Sequence, residues 1–173
     1  YHALSYLYNT PPLRLKRMPF VATFLAAIAS FLIVAIGFIL ISPDHTLHNF
    51  PWRIGILLIV AYTISLPIKD LKDVHGDKKY HIATIPVIFG AHMGRVIIGG
   101  GVFISFLASV FLLNVRTLFF PALLLGGVAF WCIVARRGGG THRFSPHTVL
   151  WITFGCVTLY AGLIARVLLQ SVS

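Results

Sequence analysis

From Pro19 to Ser42 the chain reads PFVATFLAAIASFLIVAIGFILIS, twenty-four residues without one charged side chain. A bilayer's hydrocarbon core is about 30 Å thick, and a helix rising 1.5 Å per residue needs roughly 20 apolar residues to cross it. This run meets that length, and the rest of the composition agrees: 58% of residues are apolar, 10% are charged, and the mean hydropathy is +0.90, far outside the range of water-soluble domains. Further spans are predicted over about Phe50 to Ile68, Val96 to Val115, Thr117 to Ala135 and Thr148 to Ala165, each bounded by charge, proline or glycine. Tyr1 to Tyr8 reads as the tail of a sixth helix. The sequence opens on tyrosine with no signal-peptide pattern. The expectation is an all-α, multi-pass transmembrane helical bundle forming one domain over residues 1–173, a portion of a longer protein.

Charge sets the orientation. The net charge is +10, but the basic residues are spread over the loops without the aromatic interleaving of a nucleic-acid surface, so no nucleic-acid partner is expected. Threading five spans alternately through a bilayer puts Arg14, Lys16, Arg17, Lys69, Lys72, Lys78, Lys79, Arg95, Arg136, Arg137 and Arg143 on one side and only Arg53, Arg116 and Arg166 near the other. The excess marks the first side as cytoplasmic, in a cell inner or plasma membrane. That side collects three distant segments: 11–17, 69–86 and 135–144.

One of them is KDLKDVHGDKK, residues 69–79. The whole chain has four acidic residues, and three of them, Asp70, Asp73 and Asp77, stand here. Their i, i+3, i+7 spacing puts three carboxylates on one stripe of a helix continuing from the preceding span. Such anions repel, and a divalent cation would relieve them; carboxylate oxygens suit Mg²⁺, which commonly takes one or two carboxylates plus phosphate oxygens. The alternative is pairing with neighbouring lysines on a solvated loop. An EF-hand is excluded because position twelve from Asp70 is His81, and no glycine-rich GK[ST] phosphate loop occurs. Gly76 is expected to weaken the helix near its end and let the chain turn, and His75 and His81 read as solvated loop residues. Cys132 and Cys156 read as small apolar side chains. The Gly99–Gly101 and Gly126–Gly127 runs read as close helix contacts, and Trp52, Trp131 and Trp151 as interfacial or packing residues.

KDLKDVHGDKKYHIATIPVIFG resembles the second aspartate-rich motif of the UbiA-type intramembrane prenyltransferases, through Lys69, Asp70, Asp73, Gly76, Asp77, Lys78, Thr84, Pro86 and Gly90. YNTPPLRLKR, residues 8–17, is similar to the segment that closes the fourth helix in that family. The resemblance covers essentially the whole chain and implies the C-terminal part of a nine-helix fold, from the end of the fourth helix through the ninth. It implies Mg²⁺, a polyprenyl diphosphate donor and an aromatic or lipid acceptor, with membrane lipid around the helices. Asp73 and Asp77 then become the principal metal ligands and catalytic residues, with Asp70 a further ligand or a group supporting them. Arg14, Lys16, Lys78 and Tyr8 become diphosphate contacts, with Arg17 a weaker candidate and interfacial anchoring the alternative role for the basic residues. One departure matters: the family's other aspartate-rich motif, of N-D-x-x-D type, is absent, so the isolated chain is expected to be inactive.

Two rival readings make different demands. A transporter or channel segment with an aspartate cation site would carry ionisable residues at bilayer depth, and the predicted spans hold none. A CDP-alcohol phosphotransferase would need glycine after the second aspartate, where Val74 stands. The GD-containing motif leans toward the homogentisate, chlorophyll or archaeal-lipid branches of the prenyltransferases and leaves the acceptor and the chain length open.

Overall fold

A computed structural model describes Tyr6 and residues 19–80, 82–136 and 142–170. The elements are helices α1 (Pro19–Ile41), α2 (Trp52–Ser65), α3 (Asp70–Lys79), α4 (Ile85–Phe89), α5 (Ala91–Leu113), α6 (Phe119–Val134) and α7 (Pro146–Gln170). Short 3₁₀ turns at Leu66–Lys69 and Arg116–Leu118 join α2 to α3 and lead into α6. Among the described residues the extended pairing is limited to a bridge between Arg136 and His142. Among the described residues five helical stretches are long and apolar enough to cross a membrane, as the sequence pattern predicts. The backbone bonds of a lipid-facing segment must close within the helix, which explains this architecture.

The boundaries follow local chemistry. Pro146 occupies the first position of α7, where its missing N–H costs nothing, and the Ser145 hydroxyl accepts the Thr148 backbone N–H at 3.1 Å as an N-cap. The turn between α5 and α6 places Asn114 in the left-handed region (φ 56°), and Val115 N–H donates back to the Val110 carbonyl at 3.2 Å. The third span starts earlier than hydropathy suggests. Helix α5 begins at Ala91, and so takes Arg95 into its second turn, where the side chain is buried.

Helix α5 is the centre of the bundle, packed most extensively on α6 and then on α2, while α7 covers α6 and α1 leans on α2. Its buried stripe is Ile98, Val102, Phe106, Val110 and Leu113; Ala122, Ala129 and Ile133 of α6 and Val149, Cys156 and Tyr160 of α7 complete the core. Lipid tails are as apolar as these side chains, so association depends on close packing and interhelical hydrogen bonds. Gly101 shows the packing directly, since a Cβ built there would lie 2.6 Å from Ile64 Cγ2. Gly99 and Gly126 likewise face large side chains, but Gly100 and Gly127 face open space, which corrects the expectation that both runs serve contacts throughout. Consecutive residues of a helix point about 100° apart, so only some members of a glycine run can face a neighbour. The Ser65 hydroxyl donates to that of Ser105 at 3.2 Å, and the Ser109 and Tyr160 hydroxyls bond between α5 and α7.

Helix α1 buries Thr23, Ala27 and Ala35, and an aromatic cluster joins it to the start of α2: Phe50 lies 5.6 Å from Phe31, 5.1 Å from Phe38 and 5.2 Å from Trp52, ring centre to ring centre. Trp52 joins this cluster while staying half-exposed, and Trp151 is exposed. Cys132 and Cys156 are free and buried, as small apolar side chains in a span should be.

Candidate active site at the aspartate helix

Helices α2 and α3, with the 3₁₀ turn between them, form one helical run of 28 residues, Trp52–Lys79. At 1.5 Å per residue this is about 42 Å, longer than a hydrocarbon core of about 30 Å. The excess falls at the charged end, so α3 projects beyond the apolar segment that ends near Ile68. Leu71 is buried and Val74 half-buried, and these two seat α3 on the bundle.

The three aspartates share this helix but not one environment. Asp70 and Asp77 are half-buried, Asp73 is exposed, and so are Lys72, His75, Lys78 and Lys79. Burial pushes the Asp70 carboxyl up to about 6, against the pull of Lys69, with Asp77 and then Asp73 adding to the rise. Burial is therefore the main cost of the Asp70 charge, and the other two carboxylates add to it. Among the described residues no three histidine, cysteine or acidic side chains close around one point as a metal cage. The donor set is nonetheless chemically suited to a hard divalent cation, because Mg²⁺ retains waters and substrate oxygens and needs only one or two protein carboxylates.

Gly76 does not turn the chain. Helix α3 runs through it to Lys79, and the turn comes at Tyr80, whose N–H donates to the Gly76 carbonyl at 3.0 Å. The return stretch then ties back to the helix: Ile82 N–H donates to the Asp77 carbonyl at 2.8 Å, and the Thr84 hydroxyl donates to Asp77 Oδ2 at 3.1 Å. Thr84 is buried and stands just ahead of α4, accepting the N–H groups of Val87 and Ile88 on its carbonyl. Helix α4 lies against the start of α5 so closely that a Cβ on Gly94 would come within 2.7 Å of Pro86 Cα. Gly90, between them, has φ 82°, a conformation that favours glycine.

Next to Gly94, Arg95 donates through Nη1 to the carbonyls of Ile133 (3.2 Å) and Phe144 (3.4 Å). Ile133 lies in the last turn of α6, where carbonyls lack helical partners and the helix dipole favours a cation. A continuous chain of contacts thus runs from Asp77 through Thr84, Pro86 and Gly94 to Arg95 and the ends of α6 and α7. Thr84 and Arg95 are the two residues here that sequence reasoning did not single out for a role. The signal for Thr84 was its place in the motif seven residues after Asp77; for Arg95 it was a guanidinium adjoining an apolar run with no acidic residue within reach of it along the chain.

Of the other candidates, Lys78 is exposed on α3. Tyr8, Arg14, Lys16, Arg17 and His81 lie outside the described residues.

Comparison with known proteins gives a consistent set of relatives. The family model described as the UbiA prenyltransferase family matches residues 1–143. The chain is 33% identical over 113 residues to 2-acyl-4-prenylphloroglucinol 6-prenyltransferase of Humulus lupulus, covering 60% of this chain and 26% of that protein. It is 28% identical over 107 residues to a probable homogentisate phytyltransferase 2 of Oryza sativa subsp. japonica, covering 59% and 28%. Chlorophyll synthase of Avena sativa is 27% identical over 139 residues, covering 71% and 32%. The matched stretch thus spans about a quarter to a third of these curated relatives. No solved structure matches.

Proposed function

The chain belongs to the UbiA prenyltransferase family, and from that premise we propose that α3 forms one side of the active site of a membrane enzyme that moves a polyprenyl group from its diphosphate to an aromatic acceptor. The relatives bear the names of a prenyltransferase acting on a phloroglucinol, a homogentisate phytyltransferase and a chlorophyll synthase. The observation that carries the reading is the gathering of Asp70, Asp73 and Asp77 on one helix at the end of an apolar span, with Asp70 raised to about 6.

In this reading Asp73 and Asp77 hold Mg²⁺, with Asp70 beside them. Bound there, Mg²⁺ supplies positive charge to the diphosphate as the carbon–oxygen bond to the prenyl group breaks. Thr84 holds the Asp77 carboxylate through its hydroxyl. Lys78 offers a point charge to the diphosphate, and Arg14, Lys16 and Tyr8 add contacts from the segment that precedes α1. The isoprenoid tail lies among apolar helices that already face lipid. The eleven-to-three partition of basic side chains supports a cytoplasmic position for α3. Because the match spans only part of each relative, the segment is read as one half of a site, with the second set of carboxylates supplied elsewhere in a longer protein.

The test uses membranes carrying the intact enzyme. Asp73→Asn and Asp77→Asn should each lower Mg²⁺-dependent transfer from a prenyl diphosphate by about a hundredfold, the scale expected for losing a preorganised charge contact. Protein abundance should not change, and Mn²⁺ bound per protein, read by electron paramagnetic resonance, should fall in parallel. Undiminished transfer in both variants would refute the assignment.

A further inference from the structure

The same end of the bundle carries a second charged region that the prenyl-transfer reading does not use. Between α6 and α7 the described ends of the connection pair as the base of a hairpin: Arg143 N–H donates to the Ala135 carbonyl at 2.9 Å and Arg136 bridges His142. The Arg143 guanidinium carbon lies 5.4 Å from the ring centre of Trp131 and 5.9 Å from that of Phe144. Trp131 belongs to the last turn of a membrane span and is half exposed (51%), the position at which tryptophan marks the lipid boundary. Stacking on its face keeps Arg143 at headgroup depth rather than extended into water.

Beneath the hairpin, among the described residues, the buried cation has carbonyl partners and no anionic one. Arg95 is 6% exposed, and its partners are the two carbonyl oxygens already described. His92 and His142 stack with ring centres 6.0 Å apart, and the Nδ1 atoms of both are buried without a hydrogen-bond partner. Burial, and then Arg95, Arg136 and His92, push the His142 imidazole below its ordinary range, so it stays neutral among cations. After Asp77 the sequence contains no acidic residue at all, while Lys78, Lys79, Arg95, Arg116, Arg136, Arg137, Arg143 and Arg166 follow. Among the described residues no carboxylate pairs with these cations, so the corner offers positive charge to an anion from outside, and the exposed indole under Arg143 places that charge at the lipid boundary.

We infer that the α6–α7 hairpin, through Arg136, Arg143 and Trp131, binds the phosphate headgroup of an anionic phospholipid. Basic pockets between helix ends at a membrane surface are suited to such headgroups. The inference is independent of the prenyl-transfer reading, since none of these three residues belongs to the aspartate site.

The intact protein is exchanged into nanodiscs of phosphatidylcholine alone or mixed with phosphatidylglycerol, and the lipid retained after extraction into detergent is counted by native mass spectrometry. Phosphatidylglycerol should be retained and phosphatidylcholine lost. The double change Arg136→Gln with Arg143→Gln, at two exposed positions, should lower retained phosphatidylglycerol at least about tenfold, whereas Arg116→Gln with Arg166→Gln, at the opposite end, should leave it unchanged. Tryptophan emission of the unaltered protein should be quenched more by brominated phosphatidylglycerol than by brominated phosphatidylcholine, and Trp131→Phe should remove that excess. Equal retention of the two lipids, no loss in the hairpin variant, or no excess quenching overturns the inference. Displacement of the lipid by inorganic phosphate also overturns it, by making the site one for free phosphate.

Discussion

Helix α3 and the hairpin joining α6 to α7 occupy the same end of the bundle, and they solve opposite electrostatic problems. Helix α3 holds three of the four carboxylates of the chain on a mostly exposed helix seated by Leu71 and Val74. The hairpin corner holds arginines and histidines with no carboxylate, and its key cation, Arg95, is buried against the last turn of α6. In the first region the carboxylates stand close together on one helix, Asp73 exposed and Asp70 and Asp77 half-buried, so they remain within reach of solution. In the second, the buried cation is satisfied by carbonyls of the fold itself, so its first role is to hold three helices together. The comparison teaches that charge at a membrane boundary can be either a site or a fastener, and that burial against backbone carbonyls separates the two.

The largest expected difference comes from removing one member of each region. Arg95→Leu leaves the Ile133 and Phe144 carbonyls without their donor at a buried position, and should cost about 1–3 kcal/mol of stability, read by thermal unfolding in detergent. Its divalent-cation affinity should stay close to that of the parent protein. Asp77→Asn should do the converse, losing cation binding while unfolding no earlier. If Arg95→Leu weakened cation binding as much as Asp77→Asn, the two regions would be one site and the distinction would fail.

A smaller effect is expected at the link between them. Thr84 donates to Asp77 Oδ2 from a buried position, so it restricts that carboxylate to one orientation. Thr84→Val keeps the shape and deletes the hydrogen bond, and should weaken Mn²⁺ binding about tenfold, in line with a hydrogen bond to a charged group. Thr84→Ser should restore most of it. A merely structural role for Thr84 would instead lower the unfolding temperature and leave the cation affinity of the folded protein unchanged.

Much of this architecture was legible in the sequence because crossing a bilayer imposes a length and a composition that few residues can violate. Pro19–Ser42 announced α1 without any reference to a partner. The carboxylate cluster was legible for the same reason, since acidic residues are so scarce elsewhere. What was not legible depended on contacts between distant segments. Hydropathy treats Arg95 as the edge of a span, yet it lies inside α5 because the orphan carbonyls of α6, thirty-eight residues away, accept its protons. Thr84 reaches Asp77 only because the helix continues through Gly76 and turns at Tyr80. The roles of Gly100 and Gly101 differ because of rotation about a helix axis, and that depends on where α2 packs.

The smallest effect tests the claim that α3 keeps its charge at a cost to the fold. The Asp70 carboxyl is raised from its ordinary 3.8 to about 6, chiefly by burial, which means that folding disfavours its ionised form. At pH 7 the ionised form prevails, so the folded state carries a penalty that a neutral side chain of the same shape would not. Asp70→Asn should therefore stabilise the cation-free protein at pH 7 by about 1 kcal/mol, well under what the shift alone would suggest, because the exposed part of the carboxylate is screened by water. Because a carboxyl with a raised value binds its proton more tightly when folded, the penalty is absent below about pH 4 and grows as pH rises toward about 6, so the advantage of the asparagine should vanish on acidification. Saturating divalent cation should also erase it, by giving the native aspartate the partner that the asparagine cannot use. A variant no more stable than the parent at pH 7 without cation would mean that Lys69 already neutralises Asp70. The aspartate helix would then be a fastener of the same kind as the arginine corner.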